Sequence, residues 1–273
     1  MKNIESFIRD LKFQNGIWLA SETQNISYPS DGNNTCYAIE DNSFWFNNRN
    51  KIIYEVVKNY SINGPLFDVG GGNGFVSSYL DKNGFETVLV EPGIDGCVNG
   101  RNRGLQNIIN SNFDTMHFYP NSIPNIGIFD VLEHVEKQDQ FLKTLHTSML
   151  TNGILFITVP AFKKLWSEED NQAGHFRRYR TQDLRKIVET SGFEILYSSY
   201  FFSFLVIPIF LFRTIPSKIG TYKISSQQTK NQHLSKSGSN KLSDVLMKFD
   251  LKKIKRGKSI LFGSSIILAA RKI

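Results

Sequence analysis

The sequence predicts an α/β protein built on a largely parallel sheet, and three observations carry that expectation. Apolar runs recur at residues 66–69, 87–90, 126–131 and 154–159, continuous rather than alternating, as strands buried on both faces require. Segments of helical character separate them, giving a strand-helix-strand rhythm. The first run closes on an acid and then on glycines, Asp68-Val69-Gly70-Gly71-Gly72-Asn73-Gly74, so that a strand opens onto a ligand. A chain of 273 residues suits one generous domain with decorations.

Residues 1–13 read as a helix, with Ile4, Phe7, Ile8 and Leu11 on one stripe, expected to pack as a lid or brace. Residues 21–43, rich in Ser, Asn, Asp and Gly, read as a loop. It leads to the aromatic cluster Phe44-Trp45-Phe46, closed by Arg49, and a helix over about residues 48–60. The glycine loop follows. Glycine tolerates positive φ and lacks the Cβ that would hold a ligand off the backbone, and the helix after the loop offers free N–H groups.

The spacing within that loop selects the ligand. A dinucleotide fingerprint places Gly-x-Gly-x-x-Gly before a pyrophosphate. Here an acid precedes Gly-x-Gly-x-Gly, which would repel a pyrophosphate and suits a ligand bearing an ammonium or sulfonium charge. At these residues the chain resembles the class I S-adenosylmethionine-dependent methyltransferases. The resemblance implies that Asp68, Gly70, Gly71, Gly72 and Gly74 border the methyl donor. It also implies that the aromatic segment covers the donor, with Arg49 pairing with its carboxylate; the other reading of Arg49 and its aromatic neighbours is a brace for the core.

The second strand, residues 87–91, ends in Glu91, a carboxylate able to accept both ribose hydroxyls of an adenosine. Residues 107–110 form a third strand, after which Asn112 and Phe113 fall where adenine is expected, Asn112 to bond its exocyclic amine and Phe113 to stack. The fourth strand runs into Asp130-Val131-Leu132-Glu133-His134-Val135. This string resembles a large methyltransferase group that includes the ubiquinone-biosynthesis O-methyltransferases, in which the strand end faces donor and acceptor. Asp130 and Val131 are thereby expected at the donor and His134 at the reacting centre. In some of those relatives a divalent metal is held by acids equivalent to Asp130 and Glu133 with the following His. The same string occurs in relatives without metal, where the His caps or packs, and no metal ligand is assigned.

A helix over residues 139–150 leads into the fifth strand, residues 154–159. The segment 161–180 beyond it contains Glu168-Glu169-Asp170 and His175-Phe176-Arg177-Arg178-Tyr179-Arg180. It lies where an acceptor site is expected, and His175 and Arg178 are the candidate acceptor-handling residues, as proton carrier and anion binder. In the alternative the arginines simply pair with the loop's own acids. Thr181 caps a helix to Ser191, residues 193–197 form strand six, and residues 264–270 supply a last strand, which the family runs antiparallel between strands five and six. The expectation is thus a Rossmann-like, seven-stranded class I methyltransferase sheet. Residues 61–200 with 259–273 form its core, residues 1–60 an N-terminal lid, and residues 201–258 an apolar helix and a basic, flexible insertion.

Composition bounds the rest. Net charge is +7, yet residues 218–258 carry eleven Lys and Arg against Asp244 and Asp250, which leaves the remainder slightly acidic. That distribution argues against a nucleic-acid partner and favours a basic surface near an anionic one. Cys36 and Cys97 show neither metal nor redox spacing, and no apolar signal core stands at the amino terminus, so a cytoplasmic protein is expected. Residues 200–212 are strongly apolar but interrupted by Pro208 and followed by Arg213, too short to span a bilayer. They either pack wholly on their own domain or lie in the inner face of the membrane, at its interface. The acceptor is read as a small molecule or a lipid- or glycan-linked group, methylated on oxygen, with a non-catalytic S-adenosylmethionine binder as the alternative. A nicotinamide dehydrogenase is argued against by the loop spacing.

Overall fold

The computed structural model describes residues 4–20, 32–113, 118–221 and 241–273. Its centre is the strand β3 (Leu66–Val69), flanked by β4 (Thr87–Glu91) and β6 (Ile123–Phe129). Beyond β4 lies β5 (Ile108–Asn110), and beyond β6 lies β7 (Met149–Pro160), all parallel. The chain steps from β3 through β4 to β5 and then returns to lay β6 on the other side of β3. A crevice opens at the carboxyl ends of β3 and β6, where the strand order reverses. The last strand, β9 (Ser265–Lys272), runs antiparallel between β7 and β8 (Phe193–Phe201), as expected.

Burial follows from composition. Leu66, Phe67, Ile126, Ile128, Phe156 and Ile157 are 0–1% exposed because helices cover both faces of the central strands. These helices are α2 (Phe44–Tyr60), α3 (Phe75–Lys82), α4 (Ile94–Asn102), α5 (Gln138–Ser148) and α7 (Thr181–Thr190). Ser43 caps α2, its hydroxyl accepting from the Phe46 N–H, and Ile52, Ile53, Val56 and Val57 form its buried stripe.

Two departures lie at the amino terminus. Among the described residues the sheet has nine strands rather than seven, because Leu11–Gln14 (β1) and Ile17–Ala20 (β2) form a hairpin whose second strand pairs with β5. The expected helix over residues 1–13 is therefore only a short 3-10 turn, Ile4–Ser6. Ile4, Phe7 and Ile8 are buried as their spacing suggested, Phe7 packing edge-on against Phe67 at 5.2 Å. The chain reverses at Asn15-Gly16, both at positive φ, which is the turn chemistry of a tight hairpin. Within the expected loop 21–43, residues 21–31 lie outside the described residues, whereas Gly32–Glu40 is a helix (α1).

The carboxyl-terminal decoration also differs in detail. β8 continues to Phe201, the backbone breaks at Phe202 (φ 56°), and a helical rod runs from Ser203 to Lys218 with a π-helical stretch at Phe210–Thr214. Residues 222–240, most of the expected flexible insertion, lie outside the described residues; the basic helix after them is Lys241–Lys255.

Phe156 sits fully buried in β7 between β6 and β9. Phe156→Ala is expected to cost ~3–5 kcal/mol by chemical denaturation, and a loss under ~1 kcal/mol would contradict a close-packed sheet centre.

Candidate functional site

The glycine loop forms because Gly70, Gly72 and Gly74 all adopt left-handed backbone, φ 70°, 55° and 66°. The glycines serve different purposes. A Cβ on Gly74 would approach Leu105 to 2.6 Å, and one on Gly71 would meet Leu89 at 2.5 Å and the Asp68 carboxyl at 2.7 Å, so both allow the loop to press on the sheet. A Cβ on Gly70 would reach 2.9 Å from Val131, which makes Val131 the opposite wall. Gly72 has only Asn33 nearby, at 3.7 Å, and faces the crevice.

Asp68 is fully buried. Ser77 donates to its Oδ2 at 2.6 Å, tying the strand end to α3, while Oδ1 is buried without a hydrogen-bond partner. Burial pushes its carboxyl up to about 6, against the opposing pull of Ser77 and Arg49. Glu91 closes the floor on the β4 side. Its two oxygens accept from the backbone N–H of Gly72 (2.9 Å) and Gly93 (2.8 Å), yet burial still raises it to about 7. A buried acid pair with one unpartnered carboxylate oxygen suits a ligand that brings hydroxyl donors and positive charge.

Above this floor lies α1. Asn33 hydrogen-bonds Glu91, its backbone carbonyl accepts from Asn73 Nδ2 at 2.8 Å, and Arg103 clamps the far end through Glu40 and Asp41, both at 2.8 Å. These contacts were not foreseen, since the Asn- and Gly-rich composition of residues 32–40 hides a helix.

The other wall is Asp130. It holds φ 57°, a conformation rare for a residue with a Cβ, and accepts from Thr158 Oγ1 at 3.1 Å. Arg49, buried in α2, makes its ion pair with Asp130 and lies over the rings of Trp45 (5.0 Å) and Phe46 (5.4 Å), with Nε lacking a partner. The arginine expected at a ligand carboxylate thus already bridges the two walls of the crevice. Asn112 is half-buried beyond β5. Phe113, expected as a stacking platform, is 2% exposed and packs its ring against Phe118 and Phe141, so it serves the core in this conformation.

Segment 161–180 folds back over the ends of β6 and β7. Tyr179 N–H donates to Pro160 O, Phe162 N–H to Tyr179 O, and Phe176 N–H to Glu133 O. Its short helix α6 (Glu168–Ala173) begins with a capping box in which Asp170 Oδ2 accepts from the Ser167 N–H at 2.8 Å. Asp170 is wholly buried and is the hub of the loop. Its carboxylate binds Arg178 through Nε (2.7 Å) and Nη2 (3.0 Å) and His175 through Nδ1 (2.8 Å). Burial alone would raise it, but those donors hold it at about 2. Arg178, expected to take an acceptor anion, is spent on Asp170 and on the Ala161 carbonyl, the self-pairing that the sequence left open.

An ionised carboxylate cannot donate, so His175 carries its proton on Nδ1 when neutral and Nε2 is left as an acceptor. The ring stands edge-on to His134, 4.7 Å between centroids. Burial and the neighbouring His175 push His134 down to about 4, so it is neutral near pH 7. Glu133 is 1% exposed with Oε2 unpartnered, and burial followed by Asp130 holds its carboxyl far above the usual range. One atom each from Glu133, His134 and His175 lie within 4.8 Å of one another, a set chemically able to hold a divalent cation. His175 replaces Asp130 in the set that the sequence suggested. Asp170 was missed as the organiser, although Ser167-x-x-Asp170 is itself a helix-start signal.

Residues 46–198 match the model of a family described as a methyltransferase domain. No curated protein sequence matches the chain. Among solved structures, Haemonchus contortus phosphoethanolamine N-methyltransferase 2, in complex with phosphomonomethylethanolamine and S-adenosylhomocysteine, is similar with TM-score 0.56 and 18% identity, over 91% of this chain and 59% of that one. The [4+2]-cyclase SpnF gives TM-score 0.52 and 16% identity over 81% and 80% of the two chains. The Streptomyces coelicolor geranyl diphosphate C-methyltransferase, with Mg²⁺, geranyl-S-thiolodiphosphate and S-adenosyl-L-homocysteine, gives TM-score 0.53 and 11% identity over 81% and 75%. At these identities the likeness is one of fold, and the chain spans less than two thirds of the Haemonchus enzyme.

Replacing the hub should unfasten the loop. Asp170→Ala leaves Arg178 buried without its counter-charge and is expected to cost ~3–5 kcal/mol in denaturant unfolding, whereas a loss below ~1 kcal/mol would show that the loop is held by other contacts.

Proposed function

Because this chain belongs to the methyltransferase-domain family, we propose that it is an S-adenosylmethionine-dependent methyltransferase acting on a hydroxyl-bearing acceptor held against segment 161–180. The observation that carries the reading is the acid-lined glycine loop at the point where strand order reverses, with Gly72 open toward the crevice and Glu91 beside it. S-adenosylmethionine supplies a methyl group on a cationic sulfur, whose departure leaves a neutral thioether. This chain's residues hold and orient the partners. Glu91 accepts the ribose hydroxyls, Asp68 offers its unpartnered Oδ1 to positive charge, and Arg49 meets a donor carboxylate only by loosening its ion pair with Asp130. Asn112 borders the adenine end.

A hydroxyl acceptor must lose a proton as its oxygen takes the methyl carbon. His175, aligned by Asp170 with Nε2 as acceptor, is the base in this reading, and neutral His134 stands beside it as a second acceptor. Arg178 acts through Asp170 rather than on the acceptor. The acceptor class remains a small molecule or a lipid- or glycan-linked group; the named activities of the structural neighbours cover N- and C-methylation and a cyclisation, so the acceptor atom rests on the histidine pair alone.

Glu91 sets a pH dependence. Its folded value of about 7 means that it is protonated below and ionised above, and only the ionised form accepts two hydroxyls. Donor affinity by calorimetry is expected to tighten as pH rises from about 6 to about 8, Glu91→Gln flattening that profile and Glu91→Ala weakening binding by more than ~1 kcal/mol. Binding of NADH with no binding of either adenosyl ligand would sink the assignment.

His175→Ala is expected to lower methyl transfer from labelled donor about 10²–10⁴-fold while donor affinity stays nearly intact. Intact donor binding with no labelled product from any cell extract would favour the non-catalytic reading. Activity lost to chelator and restored by Mg²⁺ would instead assign Glu133, His134 and His175 to a metal.

A further inference from the structure

The rod Ser203–Lys218 is not packed wholly on its own domain. Its underside is fixed: Val206 and Thr214 are buried, Thr214 Oγ1 donates to Leu165 O at 3.1 Å, and Ser217 Oγ accepts from the Glu168 N–H at 3.1 Å. Its outer side is strongly apolar and open, with Ile207 67%, Leu211 47% and Phe212 72% exposed, and Ile219 just past its end 66%. A second apolar tip stands beside it on the turn into β9. Leu261 is 89% exposed and Phe262 49%, and the turn is joined to the base of the rod through Ser264 N–H to Phe202 O. Exposed aromatic and aliphatic side chains grouped along one helical rod and the turn bonded to its base mark an interaction surface.

Lysines frame this surface. Lys163 and Lys164 lie exposed on the 3-10 turn under the rod, Lys218 at its end, and Lys258 just before Leu261. The nearby acids are already engaged, Glu169 by Arg213 at 2.6 Å and Glu168 by Asn171 at 2.9 Å. Two copies meeting face to face would bring these lysine rims together, whereas an anionic lipid surface takes the apolar tips into its acyl boundary and the lysines at its headgroups. Among the described residues no helix is long and apolar enough to cross a membrane, so the surface can lie in the interface but not span it.

We propose that the rod Ser203–Lys218 and the Leu261-Phe262 tip form a docking face for an anionic lipid surface, with Lys163, Lys164, Lys218 and Lys258 at the headgroup level. The rod's underside grips the very loop that carries Asp170 and His175, so docking sets that loop against the lipid headgroups. The docking face itself requires no methyl transfer and stands or falls apart from that reading.

The test is co-sedimentation of the full chain with vesicles of phosphatidylcholine alone or mixed with phosphatidylglycerol. Pelleting with the anionic vesicles, weakened by salt, is expected, with little on phosphatidylcholine. The double variant Phe212→Asp/Leu261→Asp should lower the partition coefficient at least about tenfold at unchanged circular dichroism and donor affinity, and Lys163→Glu/Lys164→Glu should erase the preference for anionic lipid. No pelleting, or pelleting equal for wild type and the Asp variant, would overturn the proposal. So would a wild-type dimer in sedimentation velocity that the Asp variant converts to monomer without change in vesicle binding.

Discussion

Much of this molecule's chemistry hangs on one buried carboxylate. Asp170 accepts the Ser167 N–H at a helix start, two guanidinium N–H groups of Arg178 and the Nδ1–H of His175. Backbone bonds at Phe162, Phe176 and Tyr179 tie the loop to the strand ends, and Asp170 fixes its polar interior. Charge-assisted bonds at short range, in a site without solvent, are strong enough to do so where exposed ion pairs would not be. The same carboxylate decides the chemistry of the histidine, because it consumes Nδ1 and leaves Nε2 to work. Arg178 balances the charge of that carboxylate.

The crevice floor is built on the opposite principle. Among the described residues Asp68 and Glu91 form no ion pair, and burial lifts their carboxyls to about 6 and about 7. Both lie above the ordinary carboxylate value of about 4, so the folded state holds protons that the unfolded chain has released, and stability falls as pH rises from ~4 through these values. The packing of the sheet carries that cost, and a positive charge brought beside these carboxylates would lower it. Asp130, in left-handed backbone and held by Arg49 and Thr158, adds a third acid whose position is set by the same crowding.

The sheet was legible because parallel strands buried on both faces write themselves as continuous apolar runs, and β3, β4, β6, β7 and β9 all carry one. The hairpin was not. Ile4, Phe7, Ile8 and Leu11 match a helical stripe, and the decisive signal was the pair Asn15-Gly16, whose positive φ values close a two-residue turn. Glu91, Val131 and the glycines stand at the crevice because strand ends and turns fix their positions locally. Phe113 and Arg178 were harder to read: an aromatic ring after a strand fits a ligand or the core equally well, and an arginine near three acids does not reveal which one is buried. Only tertiary packing singles out Asp170 and draws Phe113 toward Phe118 and Phe141.

The placement of β9 has a consequence for how the chain is made. Among the described residues β8 forms its ladder with β9 alone, and β9 is the strand that joins it to β7, so this edge of the sheet cannot assemble while Ser265–Lys272 is still in the ribosome. At ~5–20 residues per second, synthesis leaves β8 and the apolar rod waiting for several seconds after they emerge. During that interval Phe201 and Phe202, fully buried in the finished fold, are open to water.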